Sequence, residues 1–462
     1  MSKPLAIISP LDGSVLAERA LATPQQLKTA LQAARRAQAN WQATSLQDRA
    51  ALCHKAIDIL LANTAPIAEE ITRQMGRPIQ HSPGELRGVE ERARYMIDIA
   101  PQALAETHIS SNGTSRFIRH VPLGVVLTIA PWNYPYLTAI NSIIPALMAG
   151  NVVILKHSVQ TLLCAERLQQ AFDQAGLAAG VFQYLHLDHA ATAELLKHSA
   201  IDFISFTGSV AGGVEIENTA AGLFKGLALE LGGKDPAYVR EDADLQHAVA
   251  NLVDGAFFNS GQSCCAIERI YVHRQHYDPF VEQFIDLVKQ YRLGDPLDKD
   301  TSLGPMVNTR AADRVRRQIR RACDAGARAC IDPGLFPAAK PDSPYLAPQV
   351  LLDVRQDMAV MQEESFGPVV GIMPVDSDQQ AIELMNDSRY GLTASLWTND
   401  IDQAVKLGEQ IQTGTVFMNR CDYLDPALAW VGVKDSGRGC ALSALGYAQL
   451  TRPRSFHLKS LA

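Results

Sequence analysis

The adjacent pair Cys264-Cys265, in FFNSGQSCCAIER at residues 257–269, is where chemistry could begin. A cysteine attacks carbon as its thiolate, and a Gly-Gln turn leading into a helix would supply backbone N–H groups that favour that form. The same residues also read as small core side chains, the common fate of a free cysteine. A second candidate is Glu230 in LELGGKDP, residues 229–236. Flanked by Leu229 and Leu231, its carboxyl would have the raised pKa that a general base near neutrality requires; a solvated strand-end glutamate is the plainer reading. The Gly232-Gly233 pair lets the backbone approach a neighbour closely. In PWNYP at 131–135, two prolines fix Asn133 as the kind of amide donor a developing oxyanion needs, unless the segment is only a turn. FTGS at 206–209 offers Gly208 and Ser209, whose N–H groups could hold a phosphate at a helix start, and EESFGPV at 363–369 adds Glu364 and Phe366.

Such groups sit most usefully at the ends of strands. Between residues 121 and 231 apolar runs alternate with helical patterns: GVVLTIA, a helix over 137–148, VVILK, a helix over 161–174, VFQYLHL and FISFTGS. That alternation predicts a parallel, doubly wound sheet. A second series follows Glu230, with PAYV, a helix over 244–258, RIYVH, a helix over 277–291, VVGIM, a helix over 379–386 and GTVFMN. Ahead of both, 23–43 and 46–75 read as long amphipathic helices covering the outside of the first unit. Residues 115–120 and the tail 455–462 read as edge strands. The uncharged stretch between His120 and Lys156 is long enough to span a bilayer, but Pro122, Pro131, Pro135 and Pro145 break it and its asparagines would be unsatisfied in lipid. Its expected form is strand, turn, helix and strand.

At 462 residues the chain exceeds what one core usually organises, and 47% hydrophobic with 20% charged residues is ordinary for globular domains. A net charge of −7 with scattered Lys and Arg argues against a nucleic-acid partner, and nothing argues for a membrane. The eight cysteines have neither the density nor the spacing of a disulfide framework or zinc site, and the 12 histidines form no spaced ligand set. No metal is assigned. A reducing cytoplasm is expected, since MSKPLAIISPLDGS is followed by no signal-peptide cleavage pattern.

Taken in order, PWNYP, MAGNVVILK, FTGS, LELGGK, GQSC, LGDP, LGPM, EESFGP and VKDSGRG resemble the motifs of the aldehyde dehydrogenase superfamily over almost the whole chain. The separation of Glu230 from Cys264 matches as well. The resemblance implies an α/β, aldehyde dehydrogenase-like fold in three parts. These are a Rossmann-type dinucleotide-binding domain over 1–101 and 122–231, an α/β catalytic domain over 232–440, and a small oligomerisation sheet from bridging segments 102–121 and 441–462. It further implies a homodimer or homotetramer that oxidises a small-molecule aldehyde with NAD or NADP.

Carried over by residue, Cys264 would form a thiohemiacetal and then a thioester, Asn133 and the Cys264 N–H would hold the oxyanion, and Glu230 would activate water. Glu364 and Phe366 would position the nicotinamide ribose, Lys156 the adenosine ribose and Ser209 the pyrophosphate, with Trp132, Gly208 and Leu231 as further cofactor contacts. Tyr134, Leu137, Asn141, Ser263, Cys265, Leu424 and Trp430 would line the aldehyde pocket. Asn419 and Lys434 match family positions that could equally be structural.

Departures from the family pattern bear on specificity. Lys156-His157-Ser158-Val159 stands where Lys-Pro-Ser-Glu is usual, so the glutamate that would accept a ribose 2′-hydroxyl is Val159. The second glycine-rich turn reads HLDHAATA at 186–193, and the choice between NAD and NADP stays open. The Lys-His variant resembles a bacterial succinate-semialdehyde dehydrogenase branch, yet Asn141 replaces the arginine expected to anchor that carboxylate. With no cation among the seven pocket positions, the expected substrate is a neutral aldehyde of small to medium size. A succinate-semialdehyde or, through Asp422 and Asp425, an amino-aldehyde is the alternative. A CoA-acylating enzyme is disfavoured by Glu230, and a non-catalytic relative would be expected to lack the nucleophile or base, both present here.

Overall fold

Residues 4–109 and 114–460 are described by the computed structural model. Val125–Ala130 and Val152–His157 are buried along their whole length, which is why they read as continuous apolar runs rather than alternating ones. They lie side by side in a six-stranded sheet ordered Gly437–Arg438, Gly226–Glu230, Phe203–Thr207, Val125–Ala130, Val152–His157 and Phe182–Tyr184. All pairings are parallel except that of Gly437–Arg438, which runs antiparallel to Gly226–Glu230. Chain order reverses between Val125–Ala130 and Phe203–Thr207, and the crevice beyond the carboxyl ends of such strands is where α/β sheets bind ligands.

The second sheet has seven strands, in the order Arg328–Ala329, Gln349–Leu352, Val369–Val375, Ile267–His273, Asp235–Val239, Thr393–Trp397 and Thr415–Met418. Helices cap themselves where the sequence places short polar residues: the Asp244 carboxylate accepts from His247 N at 3.0 Å to start Leu245–Phe257, and Thr23 and Gln26 form a capping box ahead of Pro24–Trp41.

The structure departs from the sequence expectation in three places. The helix read over 46–75 is two helices, Leu46–Ala62 and Thr64–Met75, separated at Asn63, whose amide bonds the Ile59 carbonyl at 2.8 Å. Thr114–Pro122 is the central strand of a three-stranded sheet, not an edge, with Thr107–His108 on one side and Thr451–Lys459 on the other. The tail's last two residues, like 110–113, lie outside the described residues. Third, the 21-residue helix Pro83–Ala103, which periodicity left unnoticed, packs on Pro135–Met148. The uncharged stretch after His120 forms strand, turn, helix and strand, and no helix among the described residues is long and apolar enough to cross a membrane.

The antiparallel strand at Gly437 carries a sharp constraint. Its φ is +121°, and a Cβ there would lie 2.0 Å from the Leu229 carbonyl oxygen, one residue before Glu230. Gly437→Ala is expected to pry the two strands apart and lower Tm by about 5 °C or more in thermal unfolding. Gly13→Ala, also at positive φ but with open space around it, should cost much less; equal shifts would mean that the close approach is unimportant.

Candidate active site

Cys264 lies between the end of Leu245–Phe257 and the start of Ile267–His273. The turn that carries it leads from a helix into a strand, not into a helix as its Gly-Gln context suggested. Before it, Asn259, Ser260 and Gly261 take φ values of 52°, 57° and 68°, three successive left-handed residues of which only the glycine adopts that conformation freely. Neighbours hold this turn: Ser260 Oγ donates to the Gly304 carbonyl at 2.8 Å, and Gln262 Oε1 accepts from Val307 N at 2.8 Å. Asn133 Nδ2 donates to the Gln262 carbonyl at 3.2 Å, so the amide expected near the oxyanion is tied to the turn that carries Cys264. Beneath Asn133, the buried Arg77–Glu85 ion pair organises the loop. Arg77 donates to the Asn133 carbonyl and its guanidinium lies 4.5 Å over the Tyr134 ring, while Glu85 accepts from Tyr136 N at 2.8 Å.

Glu230 ends its strand in register with Thr207, whose Oγ1 donates to Glu230 Oε2 at 3.1 Å. Burial pushes its carboxyl up to about 7, against the opposing pull of the Thr207 bond and the Arg92 charge. Glu364 is likewise raised to about 7 by burial, with the Glu268 charge adding to it, and accepts from Gly233 N at 3.3 Å. Close by, the Lys234 ammonium is buried against the Glu268 carboxylate. Glu268 also accepts Ser365 N at 2.8 Å and Phe366 N at 2.8 Å, fixing the loop that carries Glu364 and Phe366.

Two cavities meet at Cys264 and Glu230. One, of about 470 Å³, is lined by Trp132, Asn133, Gly208, Ser209, Leu231, Glu364 and Phe366 among others. Trp132 and Phe366 stand edge to face, 5.7 Å apart. Ser209 caps the helix Val210–Ala220 by accepting from Gly212 N at 3.2 Å, and a Cβ on Gly232 would meet the Glu364 carboxylate at 2.4 Å. A helix N-terminus, an aromatic wall and carboxylates at the sheet's switch point fit a dinucleotide. Lys156 is buried at the end of Val152–His157 and does not line this cavity; burial lowers its pKa. His157 next to it bonds the Pro135 carbonyl at 3.0 Å and Thr161 at 3.1 Å, and burial drives its pKa down to about 4, so it is a neutral structural tie.

The second cavity, of about 270 Å³, contains all seven residues expected of the aldehyde pocket: Tyr134, Leu137, Asn141, Ser263, Cys265, Leu424 and Trp430. Arg92, Glu230, Asp254 and Asp422 line it too, and Arg92 and Asp422 change its character. Asp422, expected to be a solvated loop residue, accepts from Ser263 Oγ at 3.1 Å and Cys265 Sγ at 2.8 Å, and burial raises it to about 6. Arg92 enters from Pro83–Ala103 and donates to Asn141 Oδ1 at 3.4 Å. The expectation of a pocket without a cation is therefore overturned: the seven positions were uncharged, but a neighbouring helix brings one in. A signal for it existed. Leu86, Val89, Ala93, Met96, Ile97 and Ala100 form the buried stripe of that helix, and residue 92, three after Val89 and four before Met96, lies on it. Asn419 and Lys434 bond backbone groups outside both cavities, at Thr398 and at Asn386 and Ser388.

A family profile described as "Aldehyde dehydrogenase family" matches residues 1–456. An aldehyde dehydrogenase of Paenarthrobacter nicotinovorans is 37% identical over 446 residues, covering 96% of this chain and 97% of the relative. A succinate semialdehyde dehydrogenase of Escherichia coli, named for NAD(P)+, is 33% identical, covering 95% and 94%. The NAD+ complex of an aldehyde dehydrogenase from Bacillus cereus superposes with a TM-score of 0.94 at 31% identity, over 99% of this chain and 93% of that one. The chain belongs to the aldehyde dehydrogenase family. It is an NAD(P)-dependent enzyme that oxidises an aldehyde to its carboxylic acid.

The Lys234–Glu268 pair is open to direct test. Glu268→Gln leaves the ammonium buried without a counter-charge, a change worth about 3–5 kcal/mol of stability, and weakens the support for the Ser365–Phe366 backbone. Chemical denaturation should show that loss, and NADH titration should show about tenfold weaker binding. Unchanged NADH affinity would mean that this carboxylate does not position the cofactor loop.

Proposed function

We propose that Cys264 is the nucleophile of this oxidation, Glu230 its general base, and the Asn133 amide with the Cys264 N–H its oxyanion hole. The observation that carries this reading is that Cys264 and Glu230 stand together where a dinucleotide-sized cavity joins an aldehyde-sized one. Cys264 Sγ adds to the carbonyl carbon, and the resulting oxyanion is met by N–H groups that the turn and Gln262 already hold in place. NAD(P)+, when bound, supplies the hydride acceptor. A thioester is left on Cys264. Water attacks it while Glu230 takes the proton, so the acid departs and the thiolate is restored. Glu364, Phe366, Trp132, Gly208, Ser209 and Leu231 would hold the dinucleotide on one side, with Lys156 beyond the cavity they line.

Cys265 serves the pocket wall instead, since its hydrogen bonding to Cys264 and then burial raise its thiol well above the ordinary range. For the assembly, we infer that the three-stranded sheet pairs subunits into a dimer or tetramer, as the family resemblance implies. The eight free cysteines suit a reducing cytoplasm.

Cys264→Ala is expected to abolish oxidation while NAD(P) still binds, and Cys265→Ala to retain most activity. Reversal of the two would remove the assignment. Glu230→Gln should give one equivalent of reduced cofactor in stopped flow and then stall, with added acyl mass on the intact protein. Because Glu230 must be ionised to act, wild-type deacylation should rise with pH to a plateau above about 7. Thr207→Val, which removes a bond favouring the ionised form, should move that limb to higher pH; steady turnover after the burst in Glu230→Gln, or a pH limb unmoved by Thr207→Val, would rule Glu230 out as the base.

A further inference from the structure

We propose that Arg92 anchors a carboxylate at the far end of the substrate, so that the preferred aldehydes are short ω-semialdehydes of dicarboxylic acids. This rests on Cys264 being the nucleophile. The guanidinium lines the cavity that contains Cys264, and among the described residues its one hydrogen bond is the 3.4 Å contact with Asn141 Oδ1. No ion pair involves it among the described residues, whereas buried Arg77 is paired with Glu85 and buried Arg269 bonds the Lys234, Leu384 and Met385 carbonyls. Arg92 is thus the guanidinium of this site whose donors are left for a ligand. Its placement comes from close helix packing. Gly88, four residues earlier, lets Pro83–Ala103 come so near Pro135–Met148 that a Cβ there would lie 2.9 Å from the Leu137 side chain. That approach brings Arg92 to Asn141, one turn beyond Leu137, and the amide oxygen steadies the cation without neutralising it.

Removal from water makes such a cation costly unless an anion arrives with the substrate, and a planar guanidinium matches a carboxylate through paired N–H donors. The acids in the same cavity do not fill that place. Glu230 belongs to the reacting end, Asp422 already accepts from Ser263 and Cys265, and Asp254 is exposed. A substrate ammonium could be drawn to Asp422 and Asp254 but would face Arg92 as a like charge. An alkyl tail would leave the guanidinium donors unsatisfied. With Cys264 holding the aldehyde carbon, Tyr134, Leu137 and Trp430 enclose the methylenes between the two ends.

The test compares succinate semialdehyde, its methyl ester and 4-aminobutanal on the full-length enzyme, with NAD and with NADP. Wild type should prefer the acid by kcat/KM. Arg92→Gln should lower kcat/KM for the acid about 100-fold, chiefly through KM, leave the ester within about threefold, and be partly rescued by Arg92→Lys. A merely structural role would depress acid and ester together. Independently of any variant, succinate should protect wild-type Cys264 from iodoacetamide, whereas butyramide should not. Equal use of acid and ester, preference for the amine, or no protection by succinate overturns the role of Arg92 and leaves Cys264 standing. Oxidation that survives Cys264→Ala would overturn the catalytic reading beneath it.

Discussion

A buried ammonium–carboxylate pair, Lys234 on Glu268, joins the segments that carry the reacting groups. Lys234 follows the Gly232-Gly233 turn that leads from Glu230, in one sheet, to the first strand of the other. Glu268 lies four residues after Cys264, and its oxygens also take the N–H groups of Ser365 and Phe366. One carboxylate therefore ties together the chain beyond Glu230, the chain beyond Cys264 and the loop bearing Glu364. Two apolar side chains of similar size could match such a pair in stability, because desolvating both charges offsets much of their attraction. They could not accept backbone N–H groups. The value of the pair is geometric.

Around that tie, burial sets the character of each carboxyl, and the neighbours of each set its use. Glu230 and Glu364 are both raised to about 7, but Glu230 is bonded by a threonine hydroxyl and faces both cavities, while Glu364 is held by a backbone N–H on the larger one. Asp422 is raised as well and is restrained by a serine and a cysteine. The backbone under these groups is unusual in the same places: Asn259, Ser260, Phe366 and Asp422 all have positive φ without being glycine. Such conformations persist where the surroundings over-determine them, and around Asn259 and Ser260 the Arg77 guanidinium bonding Asn259 and the Val307 N–H bonding the neighbouring Gln262 side chain do so.

The aldehyde cavity shows how specificity can arise from a part of the chain remote from the motifs. The Pro135–Met148 helix provides Leu137 and the neutral Asn141, while the cation comes across the helix contact from Pro83–Ala103. Asp422 arrives from the loop after Thr415–Met418. A pocket whose uncharged walls come from several segments thus acquires a cation from another, with Asp422 entering beside Leu424.

Much was legible in the sequence alone. Continuous apolar runs such as GVVLTIA and VVILK read as strands buried on both faces, and their alternation with helices predicted a parallel sheet in the first unit and a second α/β unit after it. Cys264, Glu230 and Asn133 lie in short motifs whose residue types could be read locally, whereas the seven pocket residues were named through the family resemblance that those motifs carry. The antiparallel strand at Gly437–Arg438, the central place of Thr114–Pro122 and the break at Asn63 were not legible, because each depends on a partner far along the chain or on a single local hydrogen bond. The same holds for the charges of the site. The raised pKa of Glu364, the restraint of Asp422 and the site that Arg92 enters follow from burial and from contacts between segments tens to hundreds of residues apart; the helical spacing of Arg92 marks it as facing inward but not what it faces.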